Sequence, residues 1–259
     1  MRTVLICHED EVLNRVGLAR WLASFSELSG VVVIREKPSR MRARIKREIK
    51  RIGLLRFLDV LAFRLYYKLK LAAVDEKQRR KMLRELESRY PPHQAPELIT
   101  SSPNSPESQK FIFDAAPDIM IARCKTLLAE RIFTIPRLGT FVMHPGICPE
   151  YRNAHGCFWA LARRDLERVG MTLLRIDKGV DTGPVFGYFT YPFDERNESH
   201  IVIQDRVVFE NLDAIRAKLE EIYRGEAQPI STEGRESAAW GQPWLTRYWA
   251  WKRAARTAG

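Results

Sequence analysis

A chain of 259 residues, 45% hydrophobic and 29% charged, can enclose a sizeable core and has the make-up of a soluble globular protein rather than a disordered one. No window holds eighteen uncharged apolar residues, and Met1 to His8 is too short an apolar run for a secretory leader, so a cytoplasmic protein is predicted. The formal net charge of +11 is local: residues 35 to 84 hold 18 Lys and Arg against 5 Asp and Glu, so the basicity argues for a partner of that segment and against a general nucleic-acid role.

Thr3 to Cys7 and Val31 to Ile34 are apolar runs of strand length, and between them Glu11 to Leu28 spaces Val12, Val16, Ala19, Leu22 and Phe25 as one face of a helix. That order predicts a βαβ opening and a parallel sheet. The first turn, Cys7-His8-Glu9-Asp10, has no glycine, so no NAD or FAD is expected, and His8 reads as a surface or capping residue. Ser39 to Ile52 predicts a basic helix with a stripe of Met41, Ile45, Ile49 and Ile52. Leu54 to Leu71 is apolar nearly all round, as in a helix packed on several sides or lying in an interface, and Asp75 to Tyr90 predicts a third helix ended by Pro91-Pro92.

The α/β pattern resumes near Leu98, with further strands over Ile119 to Ala122, Thr140 to Met143, Met171 to Ile176 and Pro184 to Tyr191. Helices are predicted over Ala160 to Arg168 and Ile203 to Arg224. The sum is a three-layer α/β domain of Rossmann type with a mostly parallel sheet, spanning 1–200 and carrying a helical insertion at 38–92. Residues 201–259 add a helix and a tail in which Trp240, Trp244, Tyr248, Trp249 and Trp251 crowd together. Burial against the domain is the first reading of that tail, and a belt at a membrane or partner surface is the second.

Two segments carry chemistry: Phe141 to Leu161 and Val180 to Pro184. His144 ends one apolar run, and Asp181 follows another and opens a Gly-Pro turn, so the fold can join an imidazole to a carboxylate across strand ends, a pairing able to move a proton. His144, Cys148, His155 and Cys157 are zinc ligands by type, but their spacing fits no familiar site and no metal is expected.

In order and approximate spacing, His144, Pro149, Tyr151, Arg152, Trp159, Asp181, Gly183 and Pro184 resemble the folate-dependent formyltransferases, the family of glycinamide ribonucleotide formyltransferase and the catalytic domain of methionyl-tRNA formyltransferase. The likeness runs more faintly from about 98 to 190. Val142 stands where that family carries an Asn, whose loss removes a donor worth about 10² to 10³ in rate. The resemblance implies transfer of a formyl group from 10-formyltetrahydrofolate to a primary amine of a small molecule, such as an amino sugar, with His144 and Asp181 catalytic.

It also implies a cofactor site at Thr126, Leu127, Leu128, Lys178, Gly179 and Val180, and acceptor contacts from Pro145, Gly146, Tyr151 and Arg152. Arg123-Cys124-Lys125 replaces a small Gly-containing turn, which predicts an altered cofactor pocket. If its loop folds back, the side-chain amide of Asn153 is expected to replace the missing donor, which makes Asn153 a third catalytic candidate. The rival reading is a member that has lost catalysis and acts as a binding or membrane-surface protein, with 38–71 as a peripheral membrane contact. A solvated helical insertion, the first reading, or a homodimer interface explains the same residues.

Overall fold

The computed structural model describes residues 1–36 and 48–257. Of the basic helix predicted over 39–52, only 48–52 falls within the described residues, and it is helical (α2).

β1 (Arg2–His8) is followed by a π-helical turn, Leu13–Leu18, that runs into α1 (Ala19–Ala23), and β2 (Glu27–Ile34) returns parallel to β1. The first helix is shorter than its periodicity predicts, because β2 begins inside the predicted span. Then come α3 (Leu54–Tyr66), a π-helical turn at Tyr67–Leu71 and α4 (Ala72–Arg89) without a break. The two helices expected over 54–90 are thus one continuous helical run. β3 (Glu97–Thr100) precedes α5 (Pro106–Ala115), a helix the sequence reading omitted although Ser105 caps it, accepting from Ser108 N at 3.1 Å, with Pro106 in the first turn.

β4 (Ile119–Arg123), α6 (Glu130–Phe133) and β5 (Gly139–His144) complete the parallel part. After β6 (Arg152–Asn153) and α7 (Gly156–Ala162), β7 (Met171–Arg175) and β8 (Val185–Phe189) form an antiparallel hairpin. The helix predicted over 203–224 is two helices, α8 (His200–Phe209) and α9 (Leu212–Arg224). They break at Asn211, whose side-chain amide donates to the carbonyls of Val207 at 3.0 Å and Thr190 at 3.1 Å. β9 (Ala239–Trp240) pairs with β6, and α10 (Leu245–Thr257) closes the described chain.

The main sheet has the order β3-β2-β1-β4-β5-β7-β8, with β7 antiparallel to β5. Its central strands are apolar on both faces, as a sheet covered by helices on both sides requires. Leu5, Cys7, Val31, Val33 and Ile121 face the larger core beneath α1, α4, α7, α8 and α9, whereas Val4, Ile6, Val32, Ile34 and Met120 face α5 and α6 through Ile112 and Ile132. The order reverses between β1 and β4, and the carboxyl ends there form the crevice where such sheets take their ligands. Among the described residues no helix is long and apolar enough to cross a membrane.

The run from α3 to α4 is docked on this frame. Phe63 of α3 packs against Phe158, His200 and Tyr248, and buried Asp75 at the start of α4 accepts from Ser199 Oγ at 2.7 Å. The aromatic tail fits between α3 and α7. Trp251 and Tyr248 are buried, Trp240 and Trp244 are half-buried, and Trp249 is 52% exposed.

Candidate active site

His144 is the last residue of β5. Residues two apart in a strand share a face, so Val142 looks the same way as His144 while Phe141 and Met143 enter the main core. Val142 instead touches a small apolar cluster of Cys148, Leu174 and Val185. His144 is buried, its side chain 6% exposed. Its Nε2 lies 2.8 Å from the Tyr151 carbonyl, an acceptor only, so Nε2 carries a hydrogen. Its Nδ1 faces Oδ2 of Asp181 at 3.5 Å.

Asp181 arrives by a route the sequence reading did not foresee. β7 runs antiparallel to β5, pairing Thr172 with His144 and Arg175 with Phe141, so the carboxyl end of β7 points away from the imidazole. The β7–β8 loop brings Asp181 back. Asp177 Oδ1 accepts from Gly179 N at 2.9 Å and Thr182 Oγ1 at 2.7 Å, which curls the loop, and Gly183 passes where any side chain would collide with the Arg175 carbonyl. Asp181 itself is left-handed, with φ +51°, as are Asn153 at +74° and His155 at +57°. Such conformations cost on the order of 1–3 kcal/mol each and persist where surrounding structure imposes them, typically at functional sites.

The loop after β5 closes round the imidazole. A Cβ on Gly146 would lie 2.5 Å from the Tyr151 carbonyl, 2.8 Å from His144 Nε2 and 2.9 Å from Gly156 Cα, so only glycine fits there. Asn153 N donates to Asp181 Oδ2 at 2.8 Å, and Arg152 donates to the Val180 carbonyl at 2.9 Å and to Ser237 Oγ at 3.0 Å. His144, Gly146, Tyr151, Arg152, Asn153, Val180 and Asp181 are therefore assembled in one place. Asn153 joins through its main chain, since its side-chain amide donates to the Trp240 carbonyl. The hydroxyl of Tyr151 donates to Asp165 at 2.8 Å, and its ring stacks on Trp240, which stacks on Trp159.

Of the predicted cofactor residues, Leu127 is 68% exposed and its carbonyl accepts from Asn104 Nδ2 at 2.8 Å. Leu128 is half-buried against the core beneath α5 and α6, and Thr126 Oγ1 is buried with no hydrogen-bond partner among the described residues. An ion pair of 3.1 Å between Lys178 and Glu130 sets the loop holding Lys178, Gly179 and Val180 beside this segment. The four cysteines are free thiols, and Cys157 Sγ donates to the Gly170 carbonyl at 3.2 Å. Among the described residues no group of three or more His, Cys, Asp and Glu is placed to hold a metal ion.

The family model for formyl transferases matches residues 70–217, more than half of the sequence. The chain belongs to the formyl transferase family. A methionyl-tRNA formyltransferase of Bacteroides fragilis is 29% identical over 166 residues, covering 58% of this chain and 51% of that protein. The chain spans about half or less of the length of the curated relatives it matches. Among solved structures, a sugar N-formyltransferase from a Shewanella species is similar with a TM-score of 0.55 at 12% identity, over 98% of this chain and 88% of that one. A phosphoribosylglycinamide formyltransferase from Anaplasma phagocytophilum gives 0.56 at 14% identity, over 94% and 99%. Both share its fold.

Behind the site of this formyl transferase lies a charged network that sequence reasoning missed. His8 is buried rather than on the surface, and its Nε2 accepts from Lys125 N at 3.0 Å, tying the ends of β1 and β4. Arg123, at the end of β4, donates to the Met143 carbonyl and, at 3.2 Å, to Asn14 Oδ1, so a guanidinium braces the residue before His144. Glu11 pairs with Arg79 at 2.8 Å and Lys125 at 3.0 Å, and Arg79 pairs with Asp205 at 2.9 Å. Burial opposes the charge on Glu11, but Lys125 and Arg79 prevail and hold its pKa at about 2. Burial pushes Asp205 up to about 6 against the pull of Arg79 and Arg123. The one trace in the sequence is a polar Gln204-Asp205-Arg206 step inside an otherwise apolar helix.

A carboxyl whose folded pKa is raised binds its proton more tightly in the native state, so its contribution to stability is greatest below the unfolded value near 4 and declines as the pH rises through 6. Urea unfolding from pH 4 to 7 should therefore show a falling component that Asp205→Asn removes. An unchanged slope in the variant would contradict this assignment.

Proposed function

We propose that this formyl transferase moves a formyl group from 10-formyltetrahydrofolate to the primary amine of a small molecule, with amino sugars as the acceptor class. The observation that carries the reading is the His144–Asp181 pair, clamped by the Asn153 amide and held by a left-handed backbone at Asp181. A sugar N-formyltransferase alike in fold over nearly the whole chain supports the acceptor class.

The residues present suit the donor. A folate presents an apolar ring face and a polar edge, and Leu127 offers exposed apolar surface near the loop whose main chain at Lys178, Gly179 and Val180 can meet such an edge. When bound, the donor supplies an activated formyl carbon. Asp181 places a carboxylate where the proton lost by an attacking amine can go, through His144 or directly. His144 turns its Nδ1 toward that carboxylate, so the pair can take up the amine's proton and deliver one to an oxygen on which negative charge develops. Arg152 keeps the two loops together through the Val180 carbonyl, the Tyr151 carbonyl holds the imidazole at Nε2, and the bare Cα of Gly146 leaves room for it there.

The test is incubation of the protein with 10-formyltetrahydrofolate and a panel of amino sugars, other primary amines and methionyl-tRNA, with N-formyl products detected by mass spectrometry. A formylated amino sugar is expected. Formylation of methionyl-tRNA alone would overturn the acceptor class, and no product from any amine would overturn the whole reading.

A further inference from the structure

The insertion turns a row of leucines to solvent. Along α3 and the π-helical turn, Leu54, Leu58, Leu61, Leu65 and Leu69 recur every three or four residues and are 64, 53, 41, 59 and 68% exposed, with Leu55 at 85% beside them. The same helix buries Phe57, Val60 and Phe63 at the intervening positions. One face is thus fully packed, and the opposite face is apolar and bare. A soluble amphipathic helix carries polar residues on that side. Six neighbouring leucines form a contiguous patch of the kind that marks an interaction surface.

Exposed charge along the helical run that carries the patch is mainly basic. Arg56, Arg64, Lys68 and Lys70 are exposed on the same helical run, whereas Asp59 accepts from Thr246 N at 3.1 Å and Asp75 is buried on Ser199. Trp249, half-exposed on α10, meets Tyr66 edge-on with ring centroids 6.0 Å apart. Beside it, an open groove of about 380 Å³ between α3 and α10 sets Arg56 and Arg247 next to Leu55 and Trp244.

We infer that α3 and the π-helical turn are a docking surface for an anionic phospholipid bilayer, with the leucines entering the acyl boundary, Trp249 at headgroup level and the flanking Arg and Lys on lipid phosphates. A helix with a bare apolar face and a basic margin lies in the plane of such an interface. A second copy of the chain fits the patch less well, because a symmetric pair would set the two basic margins against each other and like charges oppose association.

The experiment is sedimentation of the full chain with vesicles of phosphatidylcholine alone or with added phosphatidylserine, across a salt series, beside analytical ultracentrifugation of the protein alone. The full chain should sediment with the anionic vesicles at least about tenfold more strongly than with the neutral ones, and the excess should fade with salt. Leu58→Glu with Leu61→Glu and Leu65→Glu should abolish binding, and Arg64→Glu with Lys68→Glu should weaken it about tenfold or more. All five side chains are exposed, so circular dichroism should be unchanged. Leu58→Gln with Leu65→Gln is a milder pair whose loss of binding is read in the same way. The inference is overturned if the wild type stays in the supernatant with anionic vesicles, if binding survives the leucine variants, or if the patch proves to hold a dimer that does not bind lipid.

Discussion

His144→Gln should lower kcat for formyl transfer by about 10² to 10⁴, the usual contribution of a positioned proton-transfer group, with little change in KM. Gln is close to His in length, and its amide can still donate to the Tyr151 carbonyl that His144 Nε2 meets at 2.8 Å, so the loop from Pro145 to His155 should keep its shape. What the variant lacks is a group able to hold and release a proton opposite Asp181. Steady-state kinetics with a thermal melt separates the two effects. A large loss of rate at an unchanged melting temperature is expected, whereas wild-type turnover would remove His144 from the chemistry.

Val142→Asn should act in the opposite direction. Position 142 shares its strand face with His144, so an amide there would point toward the same reacting groups, and one well-placed donor to a developing oxyanion is worth about 10² to 10³ in rate. The structure also names an opposing term. Val142 packs against Cys148, Leu174 and Val185, and an amide left unpaired in that cluster costs about 1–3 kcal/mol of stability. A faster and less stable enzyme is therefore expected, measured as a gain in kcat together with a lower midpoint in urea. A variant destabilised without any gain in rate would mean that position 142 does not face the formyl oxygen.

His144 and Asp181 were legible in the sequence because each follows an apolar run and adjoins a Pro-Gly or Gly-Pro turn. The parallel strands were legible as continuous Val, Ile and Leu stretches, which only a sheet covered on both faces buries. Other features depend on partners remote in the chain. The side-chain amide of Asn153 is claimed by Trp240, 87 residues away, which a local reading of the loop cannot reveal. Asp205 meets Arg79 from another helix, and no periodicity announces a buried ion pair. The antiparallel course of β7 and β8 was missed because their apolar runs look like those of parallel strands, and direction is set by the short loop between them. Leu54 to Leu71 read as apolar all round because the pattern cannot say which face the protein covers. The structure covers the Phe57 and Phe63 side and leaves the leucines bare.

The central claim is that the carboxylate at 181, acting with the imidazole at 144, serves the transfer step rather than holding the loop together. Asp181→Asn tests it most directly, because an amide oxygen can still accept from Asn153 N while the charge is lost. Calorimetric binding of a stable folate analogue and the single-turnover rate of formyl transfer should be measured on the same preparation. The analogue should bind within about threefold of wild type while the rate falls by about 10² to 10⁴. An undiminished rate in the variant, or a wild-type protein that binds no folate analogue, would contradict the account.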